Sequence, residues 1–214
     1  VGSFAGVALV VPNRDKDTLL ARLEEAAARQ STTLRKPRPV PGASVGHTRT
    51  LVKIQDGCDN ACTYCYVRLS RGSQRSTAPQ DVLQEVHSRV TEGYREIVLT
   101  GVHIGAYGRD SAPGAPLPRE RGWSLARLVS MLLAETSVER LRLSSIEPWD
   151  LNNDLLECFG RPRLCRHVHL PLQSGSDAVL LRMGRNYDVA HVSSLIDALR
   201  ARVPDVCVTT DVMV

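Results

Sequence analysis

Cys58, Cys62 and Cys65 stand four and then three residues apart, directly after the strand-like run Leu51-Val52-Lys53-Ile54-Gln55. A loop this short gathers three thiols, and clustered thiols of this kind read as a metal site rather than a disulfide framework. A [4Fe–4S] cluster normally takes four cysteines, so three leave one iron open to a small chelating ligand. S-adenosylmethionine, through its amino and carboxylate groups, is such a ligand. The competing reading is a zinc knuckle. A structural zinc wants four protein ligands, however, and the nearest histidine, His47, lies at the far end of the strand. Cys158, Cys165 and Cys207 are dispersed and are expected to be buried free thiols.

These ligands need a frame. Apolar runs predict strands near 50–55, 96–100, 139–144, 167–172 and 206–213, and helical periodicity predicts helices near 79–92, 123–135, 150–158, 176–183 and 188–202. Strand–helix alternation at this spacing requires parallel strands with right-handed crossovers. The fold class is therefore α/β, either a doubly wound sheet or all or part of a β/α barrel, with its site at the C-terminal strand ends. Polar and glycine residues fall there: Cys58 after the first strand, Thr100-Gly101 after the second, Ser144-Ser145 after the third and Gln173-Ser174-Gly175 after the fourth. Upstream, residues 7 to 11 read as a buried strand and residues 15 to 29 as a helix. Residues 31 to 46, with Pro37, Pro39 and Pro41, read as an extended linker.

The 214 residues allow one or two domains, and 43% apolar content fills a core. Cysteine usage points to a reducing, cytoplasmic compartment, and the apolar N-terminal stretch is too short to span a bilayer. The net charge is +4, and of 27 basic residues only Lys16, Lys36 and Lys53 are lysines. Nine basic residues between Arg29 and Arg75 face only Asp56 and Asp59. A basic tract around a metal loop would attract a polyanion such as nucleic acid, although an arginine-rich composition explains part of it. The chain starts at Val1 and stops within the apolar run at Val214, so a fragment of a longer protein is expected.

The segment Lys53-Ile54-Gln55-Asp56-Gly57-Cys58-Asp59-Asn60-Ala61-Cys62-Thr63-Tyr64-Cys65, with Ser70-Arg71-Gly72 after it, resembles the radical S-adenosylmethionine methylthiotransferases. So do the stretches from Leu99 to Gly108, from Arg142 to Pro148 and from His169 to Ser176, with Met183 and Arg185 beyond them. The loops are most similar to the branch acting on threonylcarbamoyladenosine in tRNA, whose siblings act on isopentenyladenosine in tRNA or on a ribosomal-protein aspartate. The sequence departs from the family at Tyr66-Val67-Arg68-Leu69, where an apolar pair and a proline are usual.

The resemblance implies a partial TIM-like (β/α) barrel as the radical core over 47–214, cut in its fifth strand. It also implies the end of an N-terminal methylthiotransferase domain over 1–30 and a linker over 31–46. Cys58, Cys62 and Cys65 would hold a [4Fe–4S] cluster, and the cluster and S-adenosylmethionine would carry the chemistry with no further catalytic side chain. A second [4Fe–4S] cluster would belong to the part upstream, so this stretch alone is not expected to complete methylthiolation. The family's partners are tRNA and a reductant such as flavodoxin or ferredoxin.

Cofactor contacts then fall to Tyr64 against the adenine, Gly101 near the methionyl amino group, Ser144, Ser145 and Gln173 at ribose hydroxyls, Ser174, and Arg185 at the cofactor carboxylate. Each has an ordinary reading beside it: loop packing for Tyr64, helix capping for Ser174 and Ser176, a solvated surface for Arg185, and turn fixing for Glu147. His103 reads as structural or RNA-contacting, and Arg68, Arg71 and Arg75 as phosphate contacts or a solvated loop. A zinc-stabilised RNA-binding module is the alternative of another class.

Overall fold

The computed structural model describes residues 7, 9–29, 48–110, 117 and 122–213. The proline-rich stretch over 31–46 lies outside the described residues. Residues 9 to 12 are irregular, and Val7 and Val10 are exposed, so the strand expected over 7–11 does not form. Among the described residues no strand pairs with this stretch to supply a ladder. A 3-10 segment (Asn13–Thr18) leads into α1 (Leu19–Arg29), which buries none of its residues.

Three parallel strands, β1 (Arg49–Lys53), β4 (Glu96–Thr100) and β5 (Arg140–Leu143), pair in the order β1-β4-β5. Two more, β6 (His167–His169) and β7 (Cys207–Thr209), pair in parallel beside them. The bridges Leu141 to Leu164 and Ser145 to His169 join the two sets. The result is the arc of a partial (β/α) barrel.

Period-2 alternation explains the arc. Val52, Ile97, Leu99, Leu141, Leu143 and Val168 are buried on the face covered by helices. Against them pack α3 (Pro79–Thr91) through Val82, Leu83 and Val86, α4 (Leu125–Glu135) through Leu128, Val129 and Leu132, and α7 (Val189–Arg202) through Leu199. The short α5 (Asn153–Cys158) adds Leu155 and Leu156 to this core, and α6 (Asp177–Arg182) buries Leu180 outside it. Ser124, Asn152 and Asp188 cap α4, α5 and α7 through side-chain bonds.

The opposite face is polar. Glu96 accepts from Arg49 (2.9 Å), Arg140 (3.1 Å) and Arg142 (2.7 Å) and so ties three strands together. Burial works against its ionisation, but the Arg142 and Arg140 bonds outweigh it and hold the carboxyl below its ordinary range. A depressed carboxyl contributes stability above its unfolded pKa, and that contribution is lost as pH falls through the folded value. Glu96→Gln should therefore cost about 2 kcal/mol at neutral pH, less than a fully buried pair because the arginines reach solvent. In urea unfolding the gap between the two proteins should close below about pH 4. A gap that persists unchanged into acid would refute this assignment.

Three elements escaped sequence reading. β2 (Gln55–Asp56) and β3 (Arg75–Ser76) form a two-residue antiparallel ribbon, and α2 (Val67–Arg71) is a single short helix between them. Together they fasten both ends of the cysteine loop. Only one of the three dispersed cysteines matches the expectation: Cys158 is buried, Cys165 half-buried and Cys207 exposed. The Cys207 side chain lies on the polar face of an edge strand, where no helix covers it.

Candidate cysteine-loop cofactor site

The loop is clamped at its root. Gln55 is buried, donates to the Asp56 and Gly57 carbonyls (3.1 and 2.8 Å) and accepts from the amides of Val102 and His103 (3.1 and 2.7 Å). One amide side chain thereby fixes the cysteine loop to the loop after β4. The Cys58 amide donates to the Gly72 carbonyl at 3.1 Å. Gly57 adopts φ +72°, and a Cβ there would fall 2.1 Å from the Ser73 carbonyl oxygen. Only glycine fits that turn.

Cys58, Cys62 and Cys65 border one cavity of about 200 Å³, together with Tyr64, Gln173 and Arg185. Among the described residues no three His, Cys, Asp or Glu side chains close on a single-ion position. Ligands of a cluster attach to separate irons, so three thiols spread around one cavity suit a cluster. The donor set fits: soft sulfur ligands, with cations beside two of them. Arg185 Nη1 lies 3.3 Å from Cys62 Sγ and His103 Nδ1 lies 3.9 Å from Cys58 Sγ.

Arg185 is the most connected residue of the cavity. Its side chain is 1% exposed and ion-pairs with Glu147. It donates to the hydroxyls of Tyr64 (3.3 Å) and Tyr187 (3.0 Å), and its guanidinium lies over the rings of Trp149 and Tyr187 at 4.8 and 5.1 Å. Burial opposes its charge, and Glu147 and Tyr187 more than offset that. The solvated-surface reading of Arg185 is thus overturned. Burial raises the Glu147 carboxyl, with Arg185 acting against it, and pushes the half-exposed Tyr64 hydroxyl up to about 12. The turn-fixing reading of Glu147 gives way to ion pairing.

Sequence reasoning left His103 open, and Asp150 was missed. His103 is buried, its Nε2 lies 2.5 Å from Asp150 Oδ2, and Arg109 pairs with the other carboxylate oxygen. Burial lowers its pKa, but Asp150 and Cys58 raise it more, to about 9. A buried histidine with a carboxylate behind it acts as a fixed cation at neutral pH. The two residues are 47 positions apart, and no spacing rule connects them.

Of the other cofactor contacts expected from the sequence, Gly101, Ser144, Ser145 and Ser174 lie off the cavity wall. Gly101 leaves no room for a Cβ, which would stand 2.7 Å from the Gln55 carbonyl oxygen, so a close backbone approach within the protein accounts for this glycine. The Ser144 amide donates to the Leu99 carbonyl, and Ser145 is exposed at its bridge to His169. Ser174 is buried, and its hydroxyl accepts from the Ser176 amide. Ser176 occupies the N-cap of α6 without a side-chain cap bond, so the cap expected there is absent. Gln173 reaches the cavity with φ +68°, in the left-handed region that non-glycine residues seldom adopt.

Comparisons agree with this geometry. A family profile described as the Radical SAM superfamily matches residues 52–214. The chain is 38% identical, over 97% of its length, to the threonylcarbamoyladenosine tRNA methylthiotransferase MtaB of Thermotoga maritima, of which it covers 47%. It is equally 38% identical, over 99% of its length, to the tRNA-2-methylthio-N(6)-dimethylallyladenosine synthase of Syntrophobacter fumaroxidans, again covering 47%. The chain thus spans about half the length of the curated relatives it matches. Among solved structures, the radical S-adenosylmethionine methyltransferase TsrM of Kitasatospora setae superposes with a TM-score of 0.56. The identity is 15%, over 76% of this chain and 30% of that one. The cobalamin-dependent radical enzyme OxsB superposes with a TM-score of 0.54 at 12% identity, over 95% of this chain and 26% of that one. With three thiols on one cavity at the C-terminal ends of a parallel arc, the chain belongs to the radical SAM superfamily.

Proposed function

We propose that this chain is the radical core of a tRNA methylthiotransferase that modifies C2 of N6-threonylcarbamoyladenosine beside the anticodon. The observation that carries the reading is the single cavity shared by Cys58, Cys62 and Cys65, in a chain that is 38% identical over 97% of its length to a tRNA methylthiotransferase. A cluster held by the three thiolates, with S-adenosylmethionine on its open iron, would supply reductive radical chemistry.

The chain's own residues hold, orient and shield. Gln55 and Gly57 fix the loop that carries Cys58. Arg185 and His103 place positive charge beside the sulfurs and offset the negative charge that a thiolate-bound cluster carries. Glu147 holds Arg185 at the cavity wall, and Tyr64 and Gln173 complete that wall. Gly101, Ser144, Ser145 and Ser174 remain proposed cofactor contacts from the family resemblance. A reductant such as flavodoxin or ferredoxin, a second [4Fe–4S] cluster on an N-terminal domain ending near residue 30, and a cytoplasmic setting complete the proposal. No helix among the described residues is long and apolar enough to cross a membrane.

The equal identity to a dimethylallyladenosine synthase favours a second reading, in which isopentenyladenosine is the base modified. Mass spectrometry of tRNA nucleosides from cells with and without the gene separates the two. Loss of the 2-methylthio group from threonylcarbamoyladenosine alone is expected. Its loss from isopentenyladenosine instead would transfer the assignment, and no change in either nucleoside would end the tRNA reading.

A further inference from the structure

A second cavity, of about 280 Å³, adjoins the cofactor cavity and shares Asn60 and His103 with it. Its wall is polar. Asp59, Asn60, Gln74 and Arg109 meet there, with the Trp149 ring beside them. Arg109 lines this cavity with donors to spare. Its Nη2 donates to the Gly105 carbonyl at 2.8 Å and pairs with Asp150, whose side chain is fully buried. A guanidinium carries five N–H donors, and among the described residues Nε and Nη1 of Arg109 meet no partner. The Gln74 side-chain amide donates to the Arg109 carbonyl, which leaves its own carbonyl oxygen to accept. Asp59, the one carboxylate of the wall, accepts from the Gln74 backbone amide at 3.3 Å.

We infer that this second cavity receives the N6 substituent of the modified adenosine and that Arg109 binds its carboxylate, which makes Arg109 the residue that tells the two candidate bases apart. The inference rests on the tRNA reading above and decides between its two forms. In adenine, C2 and C6 flank the same ring nitrogen. A base that offers C2 to the cofactor cavity therefore offers its N6 substituent to the space beside it. A threonylcarbamoyl group carries a carboxylate, a hydroxyl and a ureido unit. It has acceptors for the free Arg109 N–H groups and donors for Gln74 and Asp59, and arginine grips a carboxylate in bidentate fashion. Asp59 would repel the carboxylate, which confines that end of the substituent to the Arg109 side. A dimethylallyl group has no polar atom. Seating it here would strip water from the guanidinium and replace none of its hydrogen bonds, and a site with such unpaired groups rejects the ligand that lacks them. Arg185 cannot serve instead, because Glu147 already holds it.

The test is binding of four labelled anticodon stem-loops by the full chain. One carries threonylcarbamoyladenosine, one the same base with its threonyl carboxylate converted to the amide, one isopentenyladenosine, and one is unmodified. The parent should bind the first about tenfold tighter than the other three, the gain from one charge-assisted pair. Arg109→Gln should lose that preference and keep its affinity for the unmodified stem-loop. Iron content and circular dichroism report folding. Arg109→Lys, which keeps a cation for Asp150 but not the guanidinium fork, should reduce the preference and serves if Arg109→Gln does not fold. Equal binding of acid and amide by the parent, or a preference that survives both substitutions, overturns the inference and leaves the tRNA reading in place. Tightest binding of the isopentenyladenosine stem-loop overturns it in favour of the second reading. A parent that binds none of the four overturns the tRNA reading itself.

Discussion

Cys62→Ala is expected to abolish cluster assembly. After anaerobic reconstitution the parent should carry roughly four irons per chain and a brown absorbance, whereas the variant should be colourless, with reductive cleavage of S-adenosylmethionine at background. The expectation follows from position as well as identity. Cys62 borders the same cavity as Cys58 and Cys65, and Arg185 stands 3.3 Å from its sulfur. An alanine there removes one of three ligands, and two thiolates cannot hold a cubane that normally takes four. Cys207→Ala supplies the contrast, because Cys207 lies on the polar face of β7 and does not line the cavity. That variant should keep its iron. One stoichiometric zinc in the parent, or full iron retention in Cys62→Ala, would remove the basis for the radical assignment and return the zinc-module reading.

The long elements were legible because their patterns are redundant. β4 has the predicted bounds, and α3 and α7 differ from theirs by one residue at an end, since repeated apolar positions at a fixed period locate each of them. The fourth and fifth strands are shorter than their apolar runs. Pro171 lacks the amide that a continuing ladder needs, and Gln173 turns into the left-handed region two residues later. The β2–β3 ribbon spans two residues on each side, too few for any period to be read. In the site, the three cysteines were legible because ligand spacing is local. Arg185 was named from the resemblance, but its bonding was not legible, because its partners Glu147, Trp149 and Tyr64 arrive through the fold from far along the chain. Asp56 and Gln55 stood inside the quoted motif, yet nothing in the motif says that one gathers four cations and the other clamps two loops.

Breaking the Arg185–Glu147 pair should have the largest effect on stability of any single substitution outside the apolar core. Arg185→Met removes a buried cation and leaves the partly buried Glu147 carboxylate at the cavity wall without its partner. Losing one partner of a buried pair costs about 3–5 kcal/mol, whereas replacing both partners with apolar groups is often neutral. Urea unfolding of the cluster-free protein should therefore place Arg185→Met well below the parent, and Arg185→Met/Glu147→Leu should recover most of the difference. The pH dependence has a definite sign. Burial already raises the Glu147 pKa, and loss of Arg185 raises it further. A carboxyl whose folded pKa is raised favours the folded state at low pH, and that contribution is lost as pH rises through the folded value. The deficit of Arg185→Met should thus be greatest at neutral and alkaline pH and shrink on acidification as Glu147 takes up its proton. A deficit under about 1 kcal/mol, the size of an exposed pair, or one that ignores pH, would mean that the pair at the cavity wall is solvated and that Arg185 is not held in place by Glu147.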